Sequence, residues 1–443
     1  MTTFELAACL VVLAAVFSYL NHTLLKLPAA IGAMSLTLSA SLLLVLAGLV
    51  LPGLEGQARA LVARIDLQQA FLHGMLGFML FAGSLHLNLS ELNARKWPVA
   101  VLSTLGVVVS TAVVGLLTWG VLNALGVPAR LMYCLLFGAL ISPTDPIAVM
   151  AILRQAGIPR AMEVTIAGES LFNDGVGVVV FLAMLEIATG AGGLDVGHLA
   201  WLFLWEAVGG AALGFLLGWV VYRMLRSVDH YQVEVLLSLA LVAGGYALVN
   251  RLHMSGPIAM VVAGLLIGNV GRMLAMSPAT VDHLDVFWEL IDEVLNAVLF
   301  VLIGLEVLAL TFSGRYLLAG LLAIPTVLLA RLVSVGVPLT VMNRWGGFAP
   351  YTTRVLTWGG LRGGISVALA LSIPMQVEGQ PVAERDVLIA LTYVVVVFSI
   401  LVQGLTVGPL TRRWLRGRPP QPKLHPDRGP AVAAATVHGG SPG

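Results

Sequence analysis

Residues 168–175 read Gly-Glu-Ser-Leu-Phe-Asn-Asp-Gly and begin an otherwise apolar stretch that ends near Thr189. A stretch this apolar is expected to cross a bilayer, where one carboxylate costs about 2.5–3.5 kcal/mol on insertion scales. Glu169 and Asp174, with the amide of Asn173 between them, therefore need an aqueous or ionic partner inside the membrane. The pattern predicts a functional site at Asp174.

The composition of the whole chain also indicates a membrane protein. Hydrophobic residues make up 58% of its 443 residues and charged residues only 11%, whereas soluble domains average about 25% charged residues. The net charge of +1 and the absence of a basic patch interleaved with aromatic residues predict no nucleic-acid partner. Cys9 and Cys134 lie in apolar segments without metal-ligand spacing, so we expect small core residues there.

Apolar stretches of transmembrane length recur along residues 1–416. A helix needs about 20 such residues to cross a bilayer, and this length predicts an all-α polytopic membrane protein with about 13 transmembrane helices. The predicted spans run over residues 4–25, 29–51, 68–87, 97–123, 129–152, 162–189, 199–225, 231–251, 255–270, 283–311, 315–342, 350–373 and 386–411. Residues 417–443, rich in Pro, Gly, Ala and Arg, are predicted to form a disordered cytoplasmic tail.

The distribution of basic residues predicts the orientation in the membrane. With the N-terminus outside, 16 of the 24 Lys and Arg residues fall in cytoplasmic loops or the tail, six in outer loops and two inside spans. Basic residues are enriched on the cytoplasmic side of membrane proteins. We therefore expect an outside N-terminus and a cytoplasmic C-terminus.

Two of the predicted spans are interrupted by residues that helices avoid. Span five contains Ser142-Pro143-Thr144-Asp145-Pro146, and span twelve contains four glycines around Arg362. Either break alone fits a simple kink, because Gly and Pro are common in transmembrane helices. Two breaks at matching places, each with a buried charge, favour a transporter site at the midplane. They predict inverted six-helix repeats over about residues 4–189 and 231–411, with the two broken helices crossed.

The crossing would supply oxygen ligands for a hard cation. Half-helices that meet at the midplane leave carbonyls free, and these oxygens suit a hard metal ion together with carboxylates and hydroxyls. The candidate ligands are the Thr144 carbonyl, Asp145, Ser170 and Asp174. Because burial disfavours a charged carboxylate, Asp174 would bind either a proton or a metal cation but not both. The alternative is a protonated acid that makes a structural hydrogen bond.

The remaining buried charges predict a structural ion pair. Glu169 is expected to pair with Arg331 in span eleven, with Arg362 as the alternative partner. Removing one partner of such a pair typically costs about 3–5 kcal/mol, so we assign the pair to structure or conformational switching. Arg362 would then neutralise the carbonyls at the crossing.

Taken together, the interior motifs resemble the monovalent cation:proton antiporter family of NhaP-type and NHE-type Na⁺/H⁺ exchangers. The resemblance covers about residues 4–414 and rests on four stretches in the family's order, namely Ser142–Pro146, Gly168–Asp174, Phe287–Glu306 and Gly360–Gly363. Asn-Asp alone would be a weak signal, whereas the four stretches together are highly specific.

The resemblance implies a function and a mechanism. It implies a homodimer with an elevator-like core, no cofactor, and exchange of Na⁺ for H⁺ across a bacterial inner membrane, with K⁺ and Li⁺ as alternative cations. Asp174 would bind the cation or the proton. Asn173, in place of a second acid, would make the exchange electroneutral and would hydrogen-bond near Thr144 and Asp145. The family pattern also favours Arg331 as the partner of Glu169.

One departure from the family affects the cation site. Some prokaryotic relatives carry an acid in the third span, but residues 67–90 contain none in that span, and Ala82 lies near the expected position. The preference for Na⁺ over K⁺ is therefore left open. Two rival functions also remain at this point, an intramembrane aspartyl protease that uses two membrane acids and a cation channel or sensor. The protease chemistry would need a shared proton between the acids and gives no reason for Asn173.

Overall fold

The computed structural model describes residues 3–48, 70–145, 147–190, 196–309, 314–343, 348–349 and 351–416. Within these residues the chain is almost entirely helical, and the only strands are a two-stranded hairpin of Gln376–Val377 and Gln380–Pro381. The predicted tail at 417–443 lies outside the described residues.

The helices follow one another in the order expected for a polytopic bundle. The first half comprises α1 Thr3–Leu20, α2 Ala29–Gly48, α3 Leu76–Leu85, α4 Leu89–Ala94, α5 Lys96–Ser103, α6 Leu105–Ala124, α7 Leu131–Ile141, α8 Ile147–Ala156 and α9 Arg160–Thr189. The second half comprises α10 Val196–Leu225, α11 Tyr231–Arg251, α12 Gly256–Leu266, α13 Arg272–Leu274, α14 Pro278–Glu306, α15 Gly314–Met342, α16 Thr352–Trp358, α17 Gly364–Leu371, α18 Glu384–Phe398 and α19 Gly404–Leu415.

Helix boundaries coincide with capping residues in the sequence. Ser255 and Ser277 cap α12 and α14, each accepting from a backbone N–H three residues later at 3.4 Å, and each is followed within two positions by a proline. Such residues satisfy the free N–H groups of a first helical turn. Helix α9 ends at Thr189 and is capped by Gly190, whose φ of +74° is favoured by glycine.

The helical fold confirms the predicted all-α polytopic class. Eight helical stretches in the described residues are long and apolar enough to cross a bilayer, and large apolar side chains such as Leu24, Trp97 and Leu43 point outward. Exposed apolar side chains of this kind fit a lipid environment. The chain is a multi-pass membrane protein; the count of 13 helices and the inverted repeats stay predictions.

The helices pack into two bundles. In the first, called here the core bundle, α5–α9 pack with α15–α19, and α7, α6 and α15 form its centre. In the second, the scaffold bundle, α10, α11 and α12 pack with α3 and α14, and α14 packs on α1 and α2. The bundles meet along α9, which contacts α10 and α12, and along α14, which contacts α17.

Both predicted helix breaks are present and lie in the core bundle. Described residues 142–145 lie between α7 and α8, and residues 359–363 separate α16 from α17. Pro143 and Pro146 cannot donate a backbone hydrogen bond and disfavour helical geometry at the residue before them, although Ser142 itself keeps helical φ and ψ of −74° and −36°. The two non-helical segments are therefore dictated locally, and the packing around them places the site.

Candidate functional site

The two broken segments cross each other inside the core bundle. The Asp145 backbone N–H donates to the Leu361 carbonyl at 2.9 Å, which makes a single antiparallel bridge between them. Arg362 is buried, and its Nη1 donates to the carbonyl oxygens of Ser142 at 2.6 Å and Pro143 at 2.9 Å. The guanidinium thus satisfies carbonyls that the interrupted helix α7 leaves free.

Glycines allow the close approach of the two segments. A Cβ atom at Gly363 would lie 2.6 Å from Asp145 Oδ2, and a Cβ atom at Gly360 would lie 2.7 Å from Arg331 Nε. Both distances are too short for a real side chain. The crossing therefore needs glycine at both positions, because Arg331 packs against Gly360 and Asp145 packs against Gly363.

Asn173 on α9 holds the first broken segment in place. Its Nδ2 donates to Thr144 Oγ1 at 2.8 Å, and its Oδ1 accepts from the Thr144 backbone N–H at 3.4 Å. The Thr144 hydroxyl also lies 3.2 Å from that of Ser170. An amide can donate and accept at once, so it pairs with both the backbone N–H and the hydroxyl of Thr144.

Glu169 and Arg331 form a buried bidentate pair between α9 and α15. Arg331 Nη1 and Nη2 donate to the two carboxylate oxygens of Glu169 at 2.5 and 3.0 Å. Arg331 Nε donates to the Leu356 carbonyl at 3.3 Å, beside the second break. Glu169 is fully buried, and two parallel bonds are the strongest arrangement of such a pair.

A cavity of about 200 Å³ lies between the two bundles and reaches the crossing. Asp145 and Asp174 line it on the core side, and residues of α3 and Leu299 of α14 line it on the scaffold side. Asp174 comes from the same face of α9 as Ser170, one turn away. Ser170 and Thr144, however, surround a separate small space next to Arg331.

The structure thus brings the proposed ligands together at the crossing but divides them between two sides. Asp145 and Asp174 line the cavity, whereas Thr144 and Ser170 line the separate small space next to Arg331. The role of all four as cation ligands stays a prediction.

The mouth of the cavity carries charged residues that the sequence analysis did not single out. Arg154 and Arg160 have side chains that are 62% and 55% exposed, and both bond to Glu163. Arg160 also contacts Glu91 of α4 at 2.9 Å. These side chains show where the cavity opens, at the ends of α8 and α9. In the sequence, the feature that could have indicated this role is the position of Arg160 just before an apolar stretch.

The third predicted span contributes a glycine to the cavity wall. Gly83 lines the cavity together with other α3 residues. Ala82, the residue nearest the expected acid, is 2% exposed and packs within the scaffold bundle instead. A difference of one position rotates a helical side chain by about 100°, so the two neighbours face different surroundings.

Comparison with known proteins identifies the family. The family model described as sodium/hydrogen exchanger, transmembrane, matches residues 4–413. The chain belongs to the transmembrane sodium/hydrogen exchanger family. The resemblance found in the sequence is thereby confirmed. Members of this family are antiporters rather than enzymes, so this exchanger is a transporter and the protease alternative is excluded.

Individual relatives agree over nearly the whole length. The exchanger is 48% identical over 420 residues to the Na(+)/H(+) antiporter NhaP of Pseudomonas aeruginosa. The aligned region covers 94% of this chain and 98% of that protein. It is 36% identical to the Na(+)/H(+) antiporter NhaH of Halobacillus dabanensis, over 84% of this chain and 91% of that protein. The solved structure of MjNhaP1 from Methanocaldococcus jannaschii at pH 8 shares the fold, with a TM-score of 0.72, 19% identity, and coverage of 93% and 99%.

Proposed function

We propose that this exchanger moves Na⁺ in one direction and H⁺ in the other across a bacterial inner membrane, with K⁺ and Li⁺ as further cations it could accept. The names of the relatives support Na⁺ as the cation. The N-terminus lies outside and the C-terminus in the cytoplasm, as the distribution of basic residues predicts. The cavity mouth at Arg154 and Arg160 then faces the cytoplasm.

The observation that carries this proposal is that acidic side chains line the cavity while the nearby arginines are bonded elsewhere. Asp174 and Asp145 reach it, and Asp145 acts on Asp174 as a second negative charge. Both nearby arginines are engaged elsewhere, Arg331 with Glu169 and Arg362 with backbone carbonyls. Within the described residues Asp174 forms no ion pair, so a proton or a cation from the cavity has to neutralise it.

Competition at one carboxylate couples the two fluxes. A cation that binds Asp174 displaces its proton, and a proton that binds displaces the cation. Asn173 adds no second charge and is engaged with Thr144, so each crossing carries one positive charge in either state. The exchange is therefore electroneutral, one Na⁺ for one H⁺.

The packing of the two bundles supports alternating access. The cavity lies at their interface and opens on one side, where Arg154 and Arg160 are exposed. Elevator-like movement of the core bundle along the scaffold bundle would carry Asp174 to the other side. The scaffold bundle would stay in place as the dimerisation surface of a homodimer.

The replacement Asp174→Asn tests the assignment. We expect the variant to insert normally and to lose Na⁺-driven proton flux in everted membrane vesicles, because an amide binds neither a proton nor a cation in this way. Asp386→Asn is the matched control, since that side chain is 67% exposed. Normal flux in Asp174→Asn would refute the site, and a wild-type flux that does not saturate with Na⁺ or dissipate an imposed pH gradient would favour the channel alternative.

A further inference from the structure

Ser366 is a buried residue that lines the same cavity as Asp145 and Asp174. The residue is 1% exposed, and its Oγ has no hydrogen-bond partner among the described residues. A buried hydroxyl without a partner typically costs about 1–3 kcal/mol. Such a group is expected to be satisfied by something that enters the cavity.

The broken helix explains why Ser366 lacks its ordinary partner. Buried hydroxyls on helices usually donate to the carbonyl four residues earlier, as Thr392 does to Leu388 at 2.7 Å. For Ser366 that position is Arg362, which lies in the non-helical segment before α17. Ser366 stands in the first turn of α17, so the carbonyl four residues earlier belongs to the non-helical segment, and Ser366 Oγ makes no hydrogen bond within the described residues.

Ser366 is also placed close to the crossing. It follows Gly363 by three residues and therefore lies about one turn away along α17, and Gly363 is the residue that faces the Asp145 carboxylate. Thr144 and Ser170, two further hydroxyl residues near the crossing, have their hydroxyls 3.2 Å apart and line the separate small space instead. Of these three hydroxyls, Ser366 is the one that shares the cavity with both acids.

We propose that Ser366 Oγ is a direct ligand of the transported cation and helps to set its selectivity. The proposal rests on the function proposed above. The α3 side of the cavity is lined in part by Gly83, which has no side chain to offer a ligand. A neutral hydroxyl oxygen suits a hard alkali cation, and it adds a ligand to Asp145 and Asp174 without adding a charge that would alter the one-for-one exchange.

The decisive variant is Ser366→Cys, because it keeps the size of the side chain and replaces a hard oxygen with a soft sulfur. We expect the half-saturating Na⁺ concentration in proteoliposomes to rise about tenfold, which corresponds to about 1.4 kcal/mol of lost binding free energy. Soft ligands favour soft cations, so competition by Tl⁺ should strengthen relative to Na⁺. The maximal rate and the melting temperature should change little.

Two further variants complete the test. Ser366→Thr keeps the hydroxyl and should retain the Na⁺ dependence of the wild type. Ser103→Ala is the control, because Ser103 is equally buried but bonds to the carbonyl of Ala100 in its own helix. It should leave both the half-saturating concentration and the ratio of Tl⁺ to Na⁺ unchanged.

The outcomes separate this inference from the proposed function. If the wild type shows no Na⁺/H⁺ exchange, the proposed function is wrong. If the wild type exchanges and Ser366→Cys keeps the Na⁺ dependence and the Tl⁺ preference of Ser103→Ala, then Ser366 is not a ligand. A lower melting temperature with an unchanged ratio of Tl⁺ to Na⁺ would likewise overturn the inference in favour of a packing role.

Discussion

Gly363 lies directly against the carboxylate of Asp145, so close that a Cβ atom at position 363 would be 2.6 Å from Oδ2. The backbone of Gly363 is extended, with φ of −123° and ψ of −155°, and any residue can adopt that conformation. The need for glycine is therefore steric. The second broken helix has no side chain at position 363, and this leaves room for the Asp145 carboxylate of the first broken helix.

The replacement Gly363→Ala tests this relationship. The added methyl group would push the Asp145 carboxylate aside, and a displacement of about 1 Å at a reacting group can cost about 100-fold in rate. We expect a loss of exchange of that order with normal insertion. Gly83→Ala is the control in the same cavity, because its Cβ would meet only Leu171 Cδ1, at 3.9 Å. Equal activity of the two variants would contradict the steric role.

Arg331→Ala should destabilise the protein strongly. The change leaves the fully buried Glu169 carboxylate without its bidentate partner, which typically costs about 3–5 kcal/mol. Ser170→Ala removes only a contact between two hydroxyls, worth about 0.5–1.5 kcal/mol. In detergent, the melting temperature of Ser170→Ala should therefore be well above that of Arg331→Ala. Arg251 is exposed, so Arg251→Ala should have the melting temperature of the wild type. A lower melting temperature for Ser170→Ala than for Arg331→Ala would count against a structural role for the Glu169–Arg331 pair.

Asn173→Ala should loosen the first broken segment. The change removes both hydrogen bonds to Thr144 and leaves buried polar groups unsatisfied, at about 1–3 kcal/mol. Hydrogen–deuterium exchange of the backbone at Thr144 and Asp145 should accelerate. Asn123→Ala, at an exposed position near the end of α6, serves as the control. Unchanged exchange at Thr144 in the Asn173 variant would show that the amide does not hold the segment.

Arg362→Ala should destabilise the crossing by freeing two buried carbonyls. Arg362 Nη1 bonds to both Ser142 and Pro143, and each carbonyl left without a partner costs about 1–3 kcal/mol. Arg362→Lys keeps a charge and donors but not the planar guanidinium, so its melting temperature should fall between those of the wild type and the Ala variant. The exposed Arg354→Ala provides the baseline. Equal melting temperatures for all three variants would disprove the bracing role.

Much of the fold follows from local features of the sequence. Apolar length indicates a bilayer protein because unpaired backbone groups cannot remain in hydrocarbon outside a helix. The prolines at 143 and 146 and the glycines at 359–363 act on their own backbone, so both breaks could be located before the structure was known. The choice of partner for Glu169 is different. Two arginines were available, and the decision for Arg331 depends on how α15 packs against α9, 162 residues away.

The same distinction holds at the site. Its acids could be recognised from the sequence, because Asp145 and Asp174 are carboxylates in apolar segments, where a charge needs a reason to be present. Which side chains reach the cavity was decided by tertiary packing alone. The third span presents Gly83 to the cavity and packs Ala82 within the scaffold bundle, and Ser366 of α17 lines the cavity with an Oγ that has no hydrogen-bond partner in the described residues. Which of two neighbouring helical residues faces the cavity depends on how the helix packs against other elements, and so the composition of the cavity wall emerged only when the two bundles came together.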